Sequence, residues 1–140
     1  MKAGYKISLA LFLVLTVTGV VIAYHLYNLT SRDMNDLKAD YILSSNELVK
    51  AFEENESEAS TKFINKVVEV KGEIGSINSG ENNSSNVLLK TGNSASAVIC
   101  TFASADDLEG YTTGEKITIR GECSGYLMDV LVNRCRVIKE

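Results

Sequence analysis

The sequence predicts a mainly β domain, a small five-stranded barrel with one preceding helix, carried behind an N-terminal transmembrane helix. Three observations lead there. Residues 7–29 carry no formal charge, and most of 7–24 is apolar. Ser44, Ser45, Asn46 and Glu47 form a capping-box pattern ahead of a partly helical apolar stripe. From Val68 onward the apolar period changes to two, interrupted by Gly72 and Gly75.

The apolar run is the first element. At 1.5 Å per residue, roughly 20 apolar residues in a helix span a bilayer core of about 30 Å. Lys2 and Lys6 precede the run and Arg32 is the first charge after it, which predicts a cytoplasmic N-terminus (residues 1–6) and export of the rest. The run exceeds the roughly 7–15 residues of a cleaved signal core. Tyr24 and Tyr27 suit a membrane–water interface, and no cysteine follows the run to carry a lipoprotein anchor. An uncleaved signal anchor over 7–27 is therefore expected, with a weak cleavage site at Val21-Ile22-Ala23 as the alternative. His25 is the lone histidine and has no metal-ligand neighbours in sequence.

Residues 28–40 are polar and read as a stalk, so the folded domain is expected over 41–140. The chain from Thr30 onward, about 110 residues, suffices for one small domain. Of the 14 basic residues all but Lys2 and Lys6 lie there, against all 18 acidic ones, which leaves a net charge of −6. That balance argues against a nucleic-acid binder, which usually shows a basic footprint. The chain contains no proline, so turns must use Gly, Asn, Asp and Ser.

A helix is expected over 45–61, with Leu48, Val49, Phe52, Ala59 and Phe63 on its apolar stripe. Its acidic middle, Glu53 to Glu58, reads as a solvated face. Five strands should follow. Val68, Val70, Ile74 and Ile77 alternate with polar residues in the first, where the glycines mark a bulge or bend. Residues 78–86, NSGENNSSN, form a loop. Residues 87–91 are the second strand, Gly92-Asn93-Ser94 a turn, and 95–102 the third. One helical turn at 104–108 precedes a fourth strand over 116–121. Residues 124–128 make a hairpin loop, and 129–139 the fifth strand. The expected core is Val68, Val70, Ile74, Leu88, Val98, Cys100, Phe102, Ile117, Ile119, Val130, Val132 and Val137. An open sheet with the helix packed across it is the alternative to a barrel.

Several stretches, SNELVKAF from Ser45, VVEVKG from Val67, ITIRGECSG from Ile117 and LMDVLVNRC from Leu127, resemble the tRNA_anti-like family over about residues 40–138. These are bacterial OB-fold domains, often exported or membrane-linked. The resemblance implies a five-stranded OB barrel. It also implies that Cys100, late in the third strand, and Cys135, late in the fifth, form the disulfide if any pair does. Cys123 is then left over.

A non-catalytic binding module is the expected function. OB domains commonly present a sheet face and two loops to oligonucleotides, oligosaccharides or peptides. The ligand-binding candidates are Lys71, Lys90, Arg120, Tyr126 and Arg134. Partners are expected to be the membrane, through the N-terminal helix, and a protein, peptide or saccharide of the cell envelope. The alternative is single-stranded nucleic-acid binding, disfavoured by charge and by few aromatics: after Phe63 only Phe102, Tyr111 and Tyr126 remain. The exported part has no histidine to activate a nucleophile, no phosphate loop and no metal constellation, so neither catalysis nor a cofactor is expected. The glycosylation patterns at Asn28, Asn82 and Asn83 are read as chance.

Overall fold

A computed structural model describes residues 2–30, 34–92 and 95–139. Two compact units arise, one ending at Asp33 and one starting at Met34. The first is a single helix, α1 (Lys2–Thr30). Its segment Lys6–Tyr27 is long and apolar enough to cross a membrane, with none of it buried within the protein.

The second unit contains β1 (Tyr41–Ser44), α2 (Ser45–Glu54), α3 (Glu56–Phe63), β2 (Val67–Ser79), β3 (Ser85–Leu89), β4 (Val98–Phe102), a 3-10 turn (Ala105–Leu108), β5 (Lys116–Leu127) and β6 (Asp129–Val137). The strands lie in the order β1-β2-β3-β4-β6-β5, and β5 returns to pair with β2. That pairing closes β2 to β6 into a barrel with the connectivity of an OB fold, so the open-sheet alternative fails. β4 and β6 run parallel while the other barrel pairs run antiparallel.

β1 is a sixth strand that the sequence reading did not anticipate. It lies parallel to β2, from Tyr41 opposite Val68 to Ser44 opposite Lys71. The packed unit also begins earlier than the composition suggests. Met34 is buried, and the Arg120 guanidinium donates to the Leu37 carbonyl at 2.9 Å. The Val67 N–H donates to the Asp40 carboxylate at 2.9 Å. Residues 31–33 of the expected stalk, and Asn93 and Ser94 of the expected turn, lie outside the described residues.

The capping box forms as the sequence predicts. The Ser44 hydroxyl accepts from the Glu47 N–H, and the Glu47 carboxylate accepts from the Ser44 N–H at 2.8 Å. The single expected helix is instead two. Asn55 adopts an extended backbone (φ −155°, ψ 90°), ends α2 and caps α3 by accepting from the Glu58 N–H. An asparagine side chain competes well for backbone donors, and here it wins over helix continuation.

Leu48, Val49, Phe52, Ala59 and Phe63 from the helices join the barrel interior in one core. Tyr126 stacks on Phe52 (centroids 5.3 Å apart) and Tyr41 meets Phe63 edge-on at 5.1 Å. Ten of the twelve expected core residues are buried; Val137 is half-buried, and Leu88 points outward while Val87 and Leu89 point in.

Three irregularities bend the barrel. At Gly75 the β2–β3 register shifts by one residue, as the glycine pattern predicts. There β2 leaves β5, paired through Glu73, and takes β3, paired from Ile74. A second shift falls at Gly121, opposite Arg134 and Cys135, with Arg134 at φ +53°. A Cβ on Gly121 would stand 2.7 Å from Val132 Cγ1 and 2.8 Å from the Asn133 carbonyl, so only glycine fits. The third shift sits between Cys123 and Gly125. The hairpin loop then narrows to Met128, at φ +67°.

Candidate functional site

Strand alternation sorts the outward side chains of the barrel into two surfaces of different chemistry. On β3 and β4 every second residue is buried, and the outward set is Asn86, Leu88, Ile99 and Thr101. Cross-strand register aligns Ser76, Leu88, Ile99 and Leu131 in one row and Asn78, Asn86 and Thr101 in the next. The Thr101 hydroxyl donates to the Asn86 side-chain carbonyl at 2.9 Å. No residue of β3 or β4 is charged. Beyond Leu131, at the β5–β6 hairpin, Leu127 is 77% exposed and Met128 82% exposed. The surface is aliphatic in its middle and edged with amides and hydroxyls.

The second surface lies on β2 and β5. In their shared register Glu69 opposes Arg120, Lys71 opposes Thr118 and Glu73 opposes Lys116. Where the start of α2 and residues Ile138 and Lys139 meet these strands, a groove of about 770 Å3 opens. Among the described residues its charged walls are Lys71, Lys90, Lys116 and Lys139 against Glu73. Lys90 Nζ lies 2.6 Å from the Glu73 carboxylate. That hydrogen bond and charge, with a smaller contribution from Lys116, hold Glu73 below its ordinary pKa of 4.5.

The five residues singled out from the sequence do not converge. Lys71 and Lys90 share the groove. Arg120 is committed to the fold: it donates to Glu69 at 2.8 Å and to the Leu37 carbonyl, with both ionic side chains largely buried. Arg120 and Arg136 line a neighbouring cavity of about 970 Å3, where Arg136 pairs with Asp107. Tyr126 is half-buried against Phe52 at the barrel end, and Arg134 stands on the β6 bulge paired with Glu122. The reading missed Leu88, Ile99 and Leu131 as a surface row and Lys116 and Lys139 as groove walls. A signal for the row was present. Asn86 and Thr101 mark the outward parity of β3 and β4, and Leu88 and Ile99 share it.

All three cysteines are free and buried. Burial pushes the Cys123 thiol up to about 11 against a slight lowering from the Gly125 backbone. Burial also raises Cys135, and the neighbouring Cys100 thiol raises it further. The Cys135 Sγ donates to the Val132 carbonyl at 3.3 Å.

The tRNA_anti-like family model matches residues 1–137. Among solved structures, a "putative nucleic acid-binding lipoprotein" of Klebsiella pneumoniae superposes with a TM-score of 0.60 at 22% identity, covering 69% of this chain and 91% of that one. Asparaginyl-tRNA synthetase of Entamoeba histolytica matches with a TM-score of 0.40 at 17% identity, over 54% of this chain and 21% of that one. No curated protein matches the chain. At 22% identity the likeness to the Klebsiella protein speaks for the fold alone. The description of the Klebsiella protein gives no support to the expectation that nucleic acid is disfavoured as a partner.

Proposed function

The chain belongs to the tRNA_anti-like family, and on that premise we propose that it is a membrane-anchored, non-catalytic binding module. In this reading α1 anchors the chain with Lys2 and Lys6 on the cytoplasmic side. The OB domain lies outside the cytoplasm and takes a protein partner of the cell envelope on its uncharged sheet face. One observation carries the choice of partner: the aligned Leu88–Ile99–Leu131 row continues into the exposed Leu127 and Met128. Strands two and three of an OB barrel and the loop between strands four and five are where such domains bind, and here those are β3, β4 and the β5–β6 hairpin.

The chemistry of that face favours protein over nucleic acid. A phosphate backbone calls for cations and unstacked bases call for exposed rings. β3 and β4 supply no cation, Phe102 is fully buried and Tyr126 is stacked on Phe52. An aliphatic centre with a polar rim is the ordinary anatomy of a protein interface.

A photoreactive amino acid placed at Ile99 of the full chain, in intact cells, tests this. A protein adduct is expected at Ile99, absent when the probe sits at Lys50 and abolished by Leu88→Asp. No adduct at Ile99, or an oligonucleotide retained at low salt and lost in Leu88→Asp, would overturn the choice of partner.

The thiols carry a separate part of the reading. Cys100 and Cys135 join in an oxidising compartment by exchange with a disulfide donor: both thiols lose their protons and the donor is reduced to two thiols. Support comes from their contact in the core. Burial suppresses the reactive thiolate in the folded barrel, so the bond forms before the barrel closes. It would close a loop of about 35 residues and contribute about 3–4 kcal/mol in the chain-entropy account. Mass measurement after alkylation under denaturing conditions should show one modified cysteine in the exported protein; three would exclude the bond.

A further inference from the structure

We propose that the lysine-walled groove between the start of α2, β2 and β5 is a second binding site, for a phosphate-bearing ligand. It is independent of the sheet face.

The first argument is charge. The chain after the apolar run carries a net −6, yet among the described residues four of the five charged side chains lining this groove are lysines. A concave site walled by one sign of charge focuses the field and raises the local concentration of the opposite ion. A single carboxylate would answer one part of that excess. A multiply charged phosphate group answers more of it.

The second argument is preorganisation. Lys90 is pinned at three points, two on its backbone and one on its side chain: its N–H donates to the Glu73 carbonyl at 2.9 Å, its carbonyl accepts from the Ser45 hydroxyl at 2.6 Å, and its ammonium is held by the Glu73 carboxylate. Lys71 and Lys116 stand on adjacent rows of the β2–β5 ladder. The Ile138 N–H donates to the Thr118 carbonyl at 2.9 Å, which brings Lys139 to the wall. Lysine is a point charge on a flexible stem, suited to phosphate without demanding one geometry. The volume lies within the range of small-molecule sites, and Tyr111 and Ile138 give the ligand an apolar wall. The α2 N-terminus adds little, because the Glu47 carboxylate already occupies it.

Phosphate of this kind comes from a soluble phosphorylated compound or from an anionic lipid headgroup. The experiment uses the full chain in phosphatidylcholine nanodiscs, with pyrophosphate titrated against isothermal calorimetry and against acetylation rates of each lysine. Saturable binding is expected, weakening as salt rises. Lys71, Lys90, Lys116 and Lys139 should be protected and Lys50 left unprotected. The double variant Lys71→Gln/Lys116→Gln should bind about tenfold more weakly, since two partly exposed charge contacts at about 0.7 kcal/mol each amount to one decade. Lys50→Gln should leave binding unchanged, as should Ile99→Asp on the sheet face. Nanodiscs containing phosphatidic acid, whose phosphomonoester headgroup is multiply charged, distinguish the source: competition with pyrophosphate assigns a headgroup, and unchanged binding assigns a soluble compound. No saturable binding at millimolar pyrophosphate, or equal binding by the double variant, would overturn the proposal.

Discussion

The sheet face on β3, β4 and β6 and the groove on β2 and β5 differ in chemistry although both belong to one small barrel. Outward positions of β3 and β4 are Asn, Leu, Ile and Thr. Those of β2 and β5 across from one another are Glu69, Lys71, Glu73, Lys116, Thr118 and Arg120. The contrast runs even within one strand. Before Gly75, β2 pairs with β5 and its outward residues are charged; after Gly75 it pairs with β3 and presents Ser76 and Asn78. Charge in this barrel is thus segregated by strand pair, and the bulge is the boundary. A net-charge count over the whole domain averages across that boundary and so says little about either surface.

The largest expected effect removes both surfaces at once. Gly121→Ala would press a methyl group against the Asn133 carbonyl and the Val132 and Cys135 side chains. A loss of about 3 kcal/mol is expected, the upper end for overpacking because backbone is among the groups struck. Chemical denaturation of the full chain in detergent measures it, and a stable variant would mean the β5–β6 bulge can relax. Arg120→Ala comes next, at about 2 kcal/mol, because it leaves the largely buried Glu69 carboxylate without its partner. If Arg120 acted only as a ligand contact, its loss would leave the melting temperature where it was.

Single-surface variants sharpen the comparison. Ile99→Asp should lower partner affinity by about 2 kcal/mol, as for a central interface residue, with an unchanged melting temperature and unchanged pyrophosphate binding. Loss of both binding activities together would mean the two surfaces are one site.

The smallest effect is on pH dependence. Hydrogen bonds from the Ser44 backbone N–H and then its hydroxyl hold Glu47 below its ordinary 4.5, and Lys90 does the same for Glu73. Each carboxylate therefore stabilises the fold above about pH 4.5 and loses that contribution as acid protonates it. Cys123 runs the other way. Raised from 9.0 to about 11, its thiol favours the fold below pH 9, and that contribution is lost as the pH rises toward 11. Melting temperatures at pH 3, 7 and 10 should trace a dome; a flat acid limb would mean the groove carboxylate is not engaged by Lys90.

Much of the barrel was legible in the sequence because its causes are local. Period-two alternation, the glycine bend and a serine–glutamate cap each act within a few residues. The alternation and the cap appear where expected, and of the two glycines Gly75 sits at a register shift while Gly72 lies in unbroken pairing with Ile117. Two features depended on distant partners. β1 exists because β2 offers it an edge, and four residues of Tyr-Ile-Leu-Ser carry no mark of that. The helix break at Asn55 turns on a cap competing with continued hydrogen bonding, which an apolar stripe spanning both helices conceals. Leu88 was misplaced for a related reason: Val87, Leu88 and Leu89 are all apolar, so the run itself hides which face is inward. The groove was half legible. Lys71 and Lys90 are conspicuous as strand residues, but Lys116 and Lys139 join them only through barrel closure and the bond between Ile138 and Thr118.

The hairpin tip has a chemical vulnerability. A thioether standing 82% clear of the protein at Met128 is open to any peroxide that reaches it, and one added oxygen makes it polar and chiral. The greasy edge of the sheet face would then carry a sulfoxide, weakening its hold on an apolar partner until a reductase restores it.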